Sequence, residues 1–313
     1  MTELTAKTHE PVQKIGGSGR SLWAEAFRRL KSDPVAVICF AVICLYAAIA
    51  IFAPIVLGDW ETTFDYDRVD EPPSWDYWLG TDSLGRSVLG KTLLGASVSM
   101  QVAFVANIVA VPLGIVVGCI AGYFGRFIDD AIVWLYTTLV CIPGLIRVIA
   151  LKFAFQEVVF FQDTAWQWEL KGMPAIIIAL AMTSWIGTCR LVRAETMKMR
   201  ELDYVMAARA AGRGSFSTML RHIVPNVLHI GIINFSLGFV GAIGAEVSLS
   251  FLGIGVMDKP SWGKMISGSM LQLVAGRWWE LAAATVAMFI IVLAWNIFGD
   301  RLRDALDPKL RNL

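Results

Sequence analysis

Residues 34–57 read PVAVICFAVICLYAAIAIFAPIVL, a run without one charged side chain. As a helix it is about 36 Å long at 1.5 Å per residue, enough to cross the hydrocarbon core of a bilayer. Five more stretches share this character: 97–122, 127–151, 174–192, 227–252 and 281–299. The third is the least clean, because it carries Asp129, Asp130 and Arg147. The chain is therefore expected to be all-α and polytopic, with six transmembrane helices. Composition agrees, since 56% of the 313 residues are hydrophobic and a water-soluble domain of this size could not bury so much apolar surface.

Lys and Arg set the expected orientation, because they are retained on the cytoplasmic side. The N-terminal segment carries Lys7, Lys14, Arg20, Arg28, Arg29 and Lys31. The connection after the fourth span carries Arg193, Lys198, Arg200, Arg209, Arg213 and Arg221, and the C-terminus carries Arg301, Arg303, Lys309 and Arg311. Six crossings put these three regions on one side. The long loop 58–96 has Arg68, Arg86 and Lys91 against eight acids. Both termini are thus expected to be cytoplasmic, with loops 58–96, 152–173 and 253–280 outside.

Residues 1–20 lack periodicity and read as an unstructured tail, with no apolar core of a cleaved leader. Residues 21–33 read as an amphipathic helix on the inner membrane surface, completing a cytoplasmic segment 1–33 ahead of a membrane domain 34–313. Asp33-Pro34 caps and opens the first span. Eight tryptophans fall in the outer loops, which suggests that these loops hug the membrane boundary. Segments 82–95 and 262–277 are candidates for short interfacial helices. Gly114, Gly118 and Gly122, spaced by four, invite close approach of another helix.

Several chemistries are weakly supported. The net charge is +1 and no long basic run interleaves with aromatics, so nothing points to nucleic acid. All five cysteines lie in predicted spans without a CxxC pair and read as packing residues, and three histidines offer little for a metal site. No nucleophile–base pair stands out. Residues 85–92, GRSVLGKT, match the phosphate-loop pattern. That chemistry needs a buried strand before the loop and a helix after it. The preceding PPSWDYWLGTDSL is no core strand, and the topology puts the motif outside the cell. Lys91 and its glycines are expected to belong to an interfacial helix leading into the second span.

The connection at about 195–226 is the one sizeable cytoplasmic loop. Tyr204 to Ala211 is rich in strong helix formers, and Gly212 and Gly214 stop it. Ser215 to Ile223 can form another helix, and Pro225 can open the fifth span. A helix–glycine–helix element between two spans, with small alanines and the apolar Met219, Leu220 and Ile223, suits docking into a groove of a soluble partner better than a plain solvated loop.

At this point the run DYVMAARAAG…HIVPN resembles the coupling loop of ABC importer permeases. It is similar in particular to the second permease of the dipeptide/oligopeptide/nickel group. LGTDSLGRSVLGKTLLGAS (79–97), AGYFGRFID (121–129), AEVSLSFLGIGV (245–256), PSWGKMI (260–266) and GDRLRDALDPKL (299–310) resemble further segments of that group, in order. The resemblance implies a type I permease fold in a bacterial or archaeal cytoplasmic membrane. It implies a noncatalytic pore subunit moving di- or oligopeptides, or a nickel chelate or another small solute, by alternating access. Its partners would be a homologous permease, two ATP-binding subunits that hold the ATP and Mg, an extracytoplasmic substrate-binding protein and membrane lipid. This chain would bind no cofactor and no metal. The coupling residues would be Asp203, Tyr204, Ala207, Ala208, Gly212, His222, Ile223 and Pro225. The sequence departs from the group at Met206, where glutamate is usual. The loop after span five is a residue shorter than usual, and the link 152–173 is longer and more aromatic.

Charges inside spans are functional candidates. Arg147 either meets a substrate carboxylate, or snorkels outward, or pairs with Glu246 or Glu157. Glu246 either pairs with a peptide amine or has an internal partner. Asp129 and Asp130 are expected at the inner boundary near Arg126. A self-contained secondary transporter is the alternative class, but internal repeats and midplane charges are not evident.

Overall fold

The structure, a computed structural model, describes residues 22–306 apart from 59, 61, 157, 158, 161–167, 170, 171 and 257. The predicted tail 1–20, much of the link 152–173 including Glu157, and the end of the C-terminal motif lie outside the described residues.

Asp33 caps as expected. Its Oδ1 accepts the N–H groups of Val35 at 2.9 Å and Ala36 at 3.4 Å, and separates α1 (Leu22–Ser32) from α2 (Pro34–Val56). Among the described residues, five continuous helices are long and apolar enough to cross a membrane. They are α2, α3 (Val88–Phe124), α6 (Met173–Met199), the run Ser215–Phe251 and α11 (Trp279–Leu306). The sixth crossing differs from expectation. Span three is not one helix but two, α4 (Arg126–Val140) and α5 (Gly144–Gln156), bent by 97°. Pro143 has no N–H to offer the carbonyl of Leu139, and its ring cannot continue the helix. A two-stranded antiparallel pair, β1 (Val159–Phe160) and β2 (Trp168–Glu169), follows α5.

α3 is the central element, packing on α6, α9 (Val224–Phe251) and α2. Gly114, Gly118 and Gly122 do what their spacing suggests, and the partner is α6. A Cβ on any of them would lie 2.7 Å from a backbone carbonyl of α6, that of Trp185, Cys189 or Arg193 respectively. Only glycine lets the two backbones come this close.

One end of the bundle gathers the basic segments. α1 packs on α11, where Arg301 pairs with Asp33 at 3.3 Å, and the connection after α6 lies at the same end. The other end carries the acid-rich loop. There Asp82, fully buried, accepts from Arg86 Nη2 at 2.9 Å and Lys91 Nζ at 3.1 Å, and Lys91 reaches Glu280 on α11 at 2.6 Å. Burial alone would raise the Asp82 pKa. Lys91, Arg86 and two backbone N–H groups outweigh it and hold the carboxyl below its ordinary value. Asp70 pairs with Arg277 across the same seam.

Two expectations about this end are corrected. Segment 82–95 is not a separate interfacial helix, and its first part, 82–87, is not helical. Ser87 caps a helix that runs unbroken into the second span, and Lys91 of the phosphate-loop match is held in the ion pairs just described. Within 262–277 a helix does form, α10 (Trp262–Val274), ending three residues short of the expected segment. The tryptophans do not all hug the boundary. Trp60, Trp262 and Trp279 are buried, and their indole N–H groups donate to the carbonyls of Ser87, Thr92 and Thr81 at 3.0, 3.1 and 3.0 Å. Trp75, Trp78 and Trp278 are exposed.

Candidate functional site: the connection between α6 and α9

α6 ends where Arg200 folds back and donates to the carbonyl of Gly122 at 3.2 Å, tying the connection to the end of α3. α7 (Asp203–Ala210) then starts from an extended Leu202 whose carbonyl accepts from Val205 and Met206 at 2.9 and 3.0 Å. It ends at Gly212, where φ is +80°. The Arg213 N–H reaches back to the Ala208 carbonyl at 3.2 Å, and the Gly212 N–H to that of Arg209 at 3.0 Å. This is a Schellman closure, which needs a left-handed residue at the glycine position.

Past the turn, α8 (Ser215–Thr218) does not end before the span, as the sequence suggested. A π-helical turn over Met219–Ile223 leads straight into α9. The wide turn has a local cause. Pro225 brings no N–H, and the Val224 N–H bonds the Met219 carbonyl five residues back. Ser215 to Phe251 is thereby one continuous rod.

The connection has two faces. Val205, Thr218, Met219 and Ile223 are buried. Met219 and Ile223 pack with Val111, Ile115, Cys119 and Tyr123 of α3, with Val192 of α6 and with Val227. The other face is open. Leu202, Tyr204, Met206, Phe216 and Leu220 are exposed, Phe216 by 62%, and Arg209, Arg213 and Arg221 lie among them. Tyr204 and His222 bring the two arms together with ring centroids 6.3 Å apart.

The residues singled out from the sequence divide between these faces. Asp203, Tyr204, Ala207, Gly212 and Pro225 are exposed, and Ala208 and His222 are half-buried. Ile223 faces the core, where it fastens the connection to α3. Met206 is exposed in the second turn of α7. A capping box pairs the N-cap with the third helical residue, and that residue is the buried Val205. The absent glutamate is thus a loss at the open face and not at the cap. Phe216 and Leu202 escaped the sequence reading. The four-residue spacing of Phe216 and Leu220 was the available signal.

The two span charges have structural partners. Arg147 Nη1 donates to the Leu139 carbonyl at 2.6 Å, across the α4–α5 bend. Glu246 on α9 is fully buried. Its two oxygens accept from Ser99 and Ser250, each at 2.7 Å. Asp129 pairs with Arg193 of α6, in a bidentate contact with one arm at 2.6 Å. Among the described residues no cluster of His, Cys, Asp or Glu has metal-binding geometry.

The family model described as binding-protein-dependent transport system inner membrane component matches residues 114–312, which include the whole connection. The chain belongs to this family. The model of the N-terminal transmembrane domain of oligopeptide transport permease C matches residues 21–73. The chain is 33% identical over 312 residues to the oligopeptide transport system permease protein OppC of Bacillus subtilis (strain 168), covering 99% of this chain and 97% of that one. It is 33% identical to the dipeptide transport system permease protein DppC of Alkalihalophilus pseudofirmus, over 99% of this chain and 97% of that one. To the glutathione transport system permease protein GsiD of Pectobacterium atrosepticum it is 34% identical, over 94% of each. As an inner membrane transport component the chain is a noncatalytic, multi-pass subunit of the cytoplasmic membrane, and it works in a complex with other transporter subunits.

Proposed function

We propose that this chain is one of two pore-forming permeases of an ATP-driven importer of di- or oligopeptides. The observation that carries the reading is similarity along 94–99% of the chain to permeases named for oligopeptides, dipeptides and glutathione. On this reading a homologous permease completes the pore, and two cytoplasmic ATPases holding ATP and Mg sit beneath it. A binding protein outside delivers the peptide. The positive-inside rule puts the basic end in the cytoplasm, with both termini, and the acid-rich loop outside.

The geometry supports a mechanical role for the connection at about 195–226. The open face of α7 and α8, with Tyr204, Ala207, Met206 and Phe216, seats in a groove of an ATPase. The other face is fastened to α3 and α6 through Met219 and Ile223. Because α8 continues into α9 without a break, displacement of the docked face carries α9 with it. Closure of the ATPases then switches the pore between inward- and outward-facing states. Arg147 is retained for the solute path, whereas Glu246 holds two serine hydroxyls and acts as an internal pin.

A tag on the C-terminus, gentle extraction and mass spectrometry of what copurifies test the reading. A second six-span permease with one or two ATPases is the expected result. A homo-oligomer with no ATPase would replace it with a self-contained transporter.

A further inference from the structure

The bend between α4 and α5 lies level with the middle of α6, itself long and apolar enough to span a membrane, which puts it deep in the bilayer on the permease reading. Leu139, just before it, packs beside Trp185 and Ile186, at the middle of α6. Val148, just after it, packs with Ala179 and Leu180 of the same helix. Among the described residues nothing covers the bend. Residues 141–146 are all exposed, and a Cβ added at Gly144 would meet no atom within 4 Å.

Part of the backbone there is also unpaired, although the Cys141, Ile142 and Arg147 N–H groups find the carbonyls of Thr137, Leu139 and Pro143. Among the described residues, the N–H groups of Gly144, Leu145 and Ile146 donate to no backbone carbonyl. The carbonyls of Val140, Cys141 and Ile142 accept from no backbone N–H. Arg147 adds a guanidinium with one hydrogen bond, to Leu139, and a buried Nε that has no partner.

Three surroundings are conceivable for such a bend at this depth. Lipid is excluded, because hydrocarbon offers no partner to open backbone groups. A dry protein contact would need acceptors for three N–H groups and a cation, and donors for three carbonyls, all within one turn. Water supplies both kinds at once, and a charge at this depth is at home beside it. We propose that the α4–α5 bend forms part of the wall of an aqueous solute path. Arg147 and the first turn of α5 give that wall a field that favours a carboxylate. This rests on the permease reading and adds to it the segment that meets the solute and the charge that segment presents.

The chain carries its own probe. Cys141 is exposed in the bend, Cys44 is exposed on α2, and Cys39, Cys119 and Cys189 are buried. With Cys44→Ser as background and Cys141→Ala as the blank, the transporter is reconstituted with its copurifying partners. Cys141 is then reacted with anionic sulfonatoethyl and cationic trimethylammonioethyl methanethiosulfonate. Rates are normalised to those of free cysteine.

The expected result is reaction with both reagents and a normalised preference of about fivefold for the anionic one, the effect of one charge acting through several ångströms of water. Arg147→Gln should abolish the preference, and Arg147→Lys should keep it. Reaction with N-ethylmaleimide alone would put Cys141 in lipid, and reaction with neither class would put it in a protein contact. Either outcome overturns the proposal. Reaction with a preference that survives Arg147→Gln overturns the role of Arg147. An unreactive Cys141 beside copurified ATPases refutes the path alone. A reactive Cys141 without ATPases leaves the path and refutes the importer.

Discussion

Substitution of Gly212 tests whether the turn after α7 is a stiff mechanical part. A Cβ at this position meets nothing within 4 Å, so the cost of any side chain comes from the backbone at φ +80° and from lost hydrogen bonds. Asparagine, which tolerates the left-handed region, should cost a few tenths of a kcal/mol, and alanine about 1–2 kcal/mol. Proline locks φ near −65°, about 145° away from the observed value. It also deletes the N–H that reaches Arg209, and opening the turn breaks the Arg213–Ala208 bond as well. Two bonds at about 1 kcal/mol each, added to the strain, put proline at about 3 kcal/mol or more. The assay is solute-stimulated ATP hydrolysis in the reconstituted transporter, normalised to chain abundance, with hydrogen exchange of the 208–214 amides alongside. Exchange should accelerate about tenfold for alanine and a hundredfold or more for proline, at 1.4 kcal/mol per tenfold. Stimulation should fall in the order Gly, Asn, Ala, Pro while abundance holds. Full stimulation in Gly212→Pro with fast local exchange would show that the turn transmits nothing.

Other substitutions probe other parts of the fold. Lys91→Met leaves the buried Glu280 without its cation and should cost about 3–5 kcal/mol, seen as a lower midpoint of thermal unfolding in detergent. An unchanged midpoint would show that the ion pairs to Asp82 and Glu280 do not hold the outer loop. Because the folded Asp82 carboxyl lies below its ordinary value, its stabilisation is complete above about pH 4 and is lost as the pH falls through the depressed value. Asp82→Asn should flatten that acid limb of a stability–pH profile, and an unaltered limb counts against the assignment. Gly118→Val drives a Cβ to 2.7 Å from the Cys189 carbonyl and should cost about 1–3 kcal/mol, whereas Gly241→Ala, in open space on α9, should be neutral or stabilising. Equal thermal shifts for the two would refute the α3–α6 contact as the reason. A cysteine at the exposed Ser217 should be labelled only by reagents that enter the cytoplasm, and labelling of intact cells by an impermeant reagent would invert the topology.

Much of the α7–α8 connection was legible because its signals are local. Gly212 as a stop and Ala207–Ala208 as helix formers depend on neighbours within a turn. The inward face of Ile223 and the outward face of Phe216 were not legible, because they depend on where α3 lies. The π-turn that joins α8 to α9 also escaped. Pro225 at a helix start normally marks a new helix, whereas here the Val224 N–H bonds the Met219 carbonyl five residues back and the rod runs on through a wide turn.

The sequence by itself determined the six crossings, the Asp33 cap, the charge asymmetry between the two ends and the close approach at Gly114, Gly118 and Gly122. Each follows from bilayer thickness, backbone hydrogen bonding or side-chain size, and each is written within a few turns of chain. The tertiary structure alone decided that Pro143 breaks its span instead of kinking it. The Leu139 carbonyl, which Pro143 cannot serve, accepts from the Ile142 N–H and from Arg147 eight residues on, and α6 holds both halves in place. It alone decided that Lys91 is held by Glu280, 189 positions away, and that Trp60, Trp262 and Trp279 donate inward instead of facing the membrane boundary. A hydrogen-bond partner far along the chain leaves no periodic trace in the sequence, because its position is set by how the helices pack.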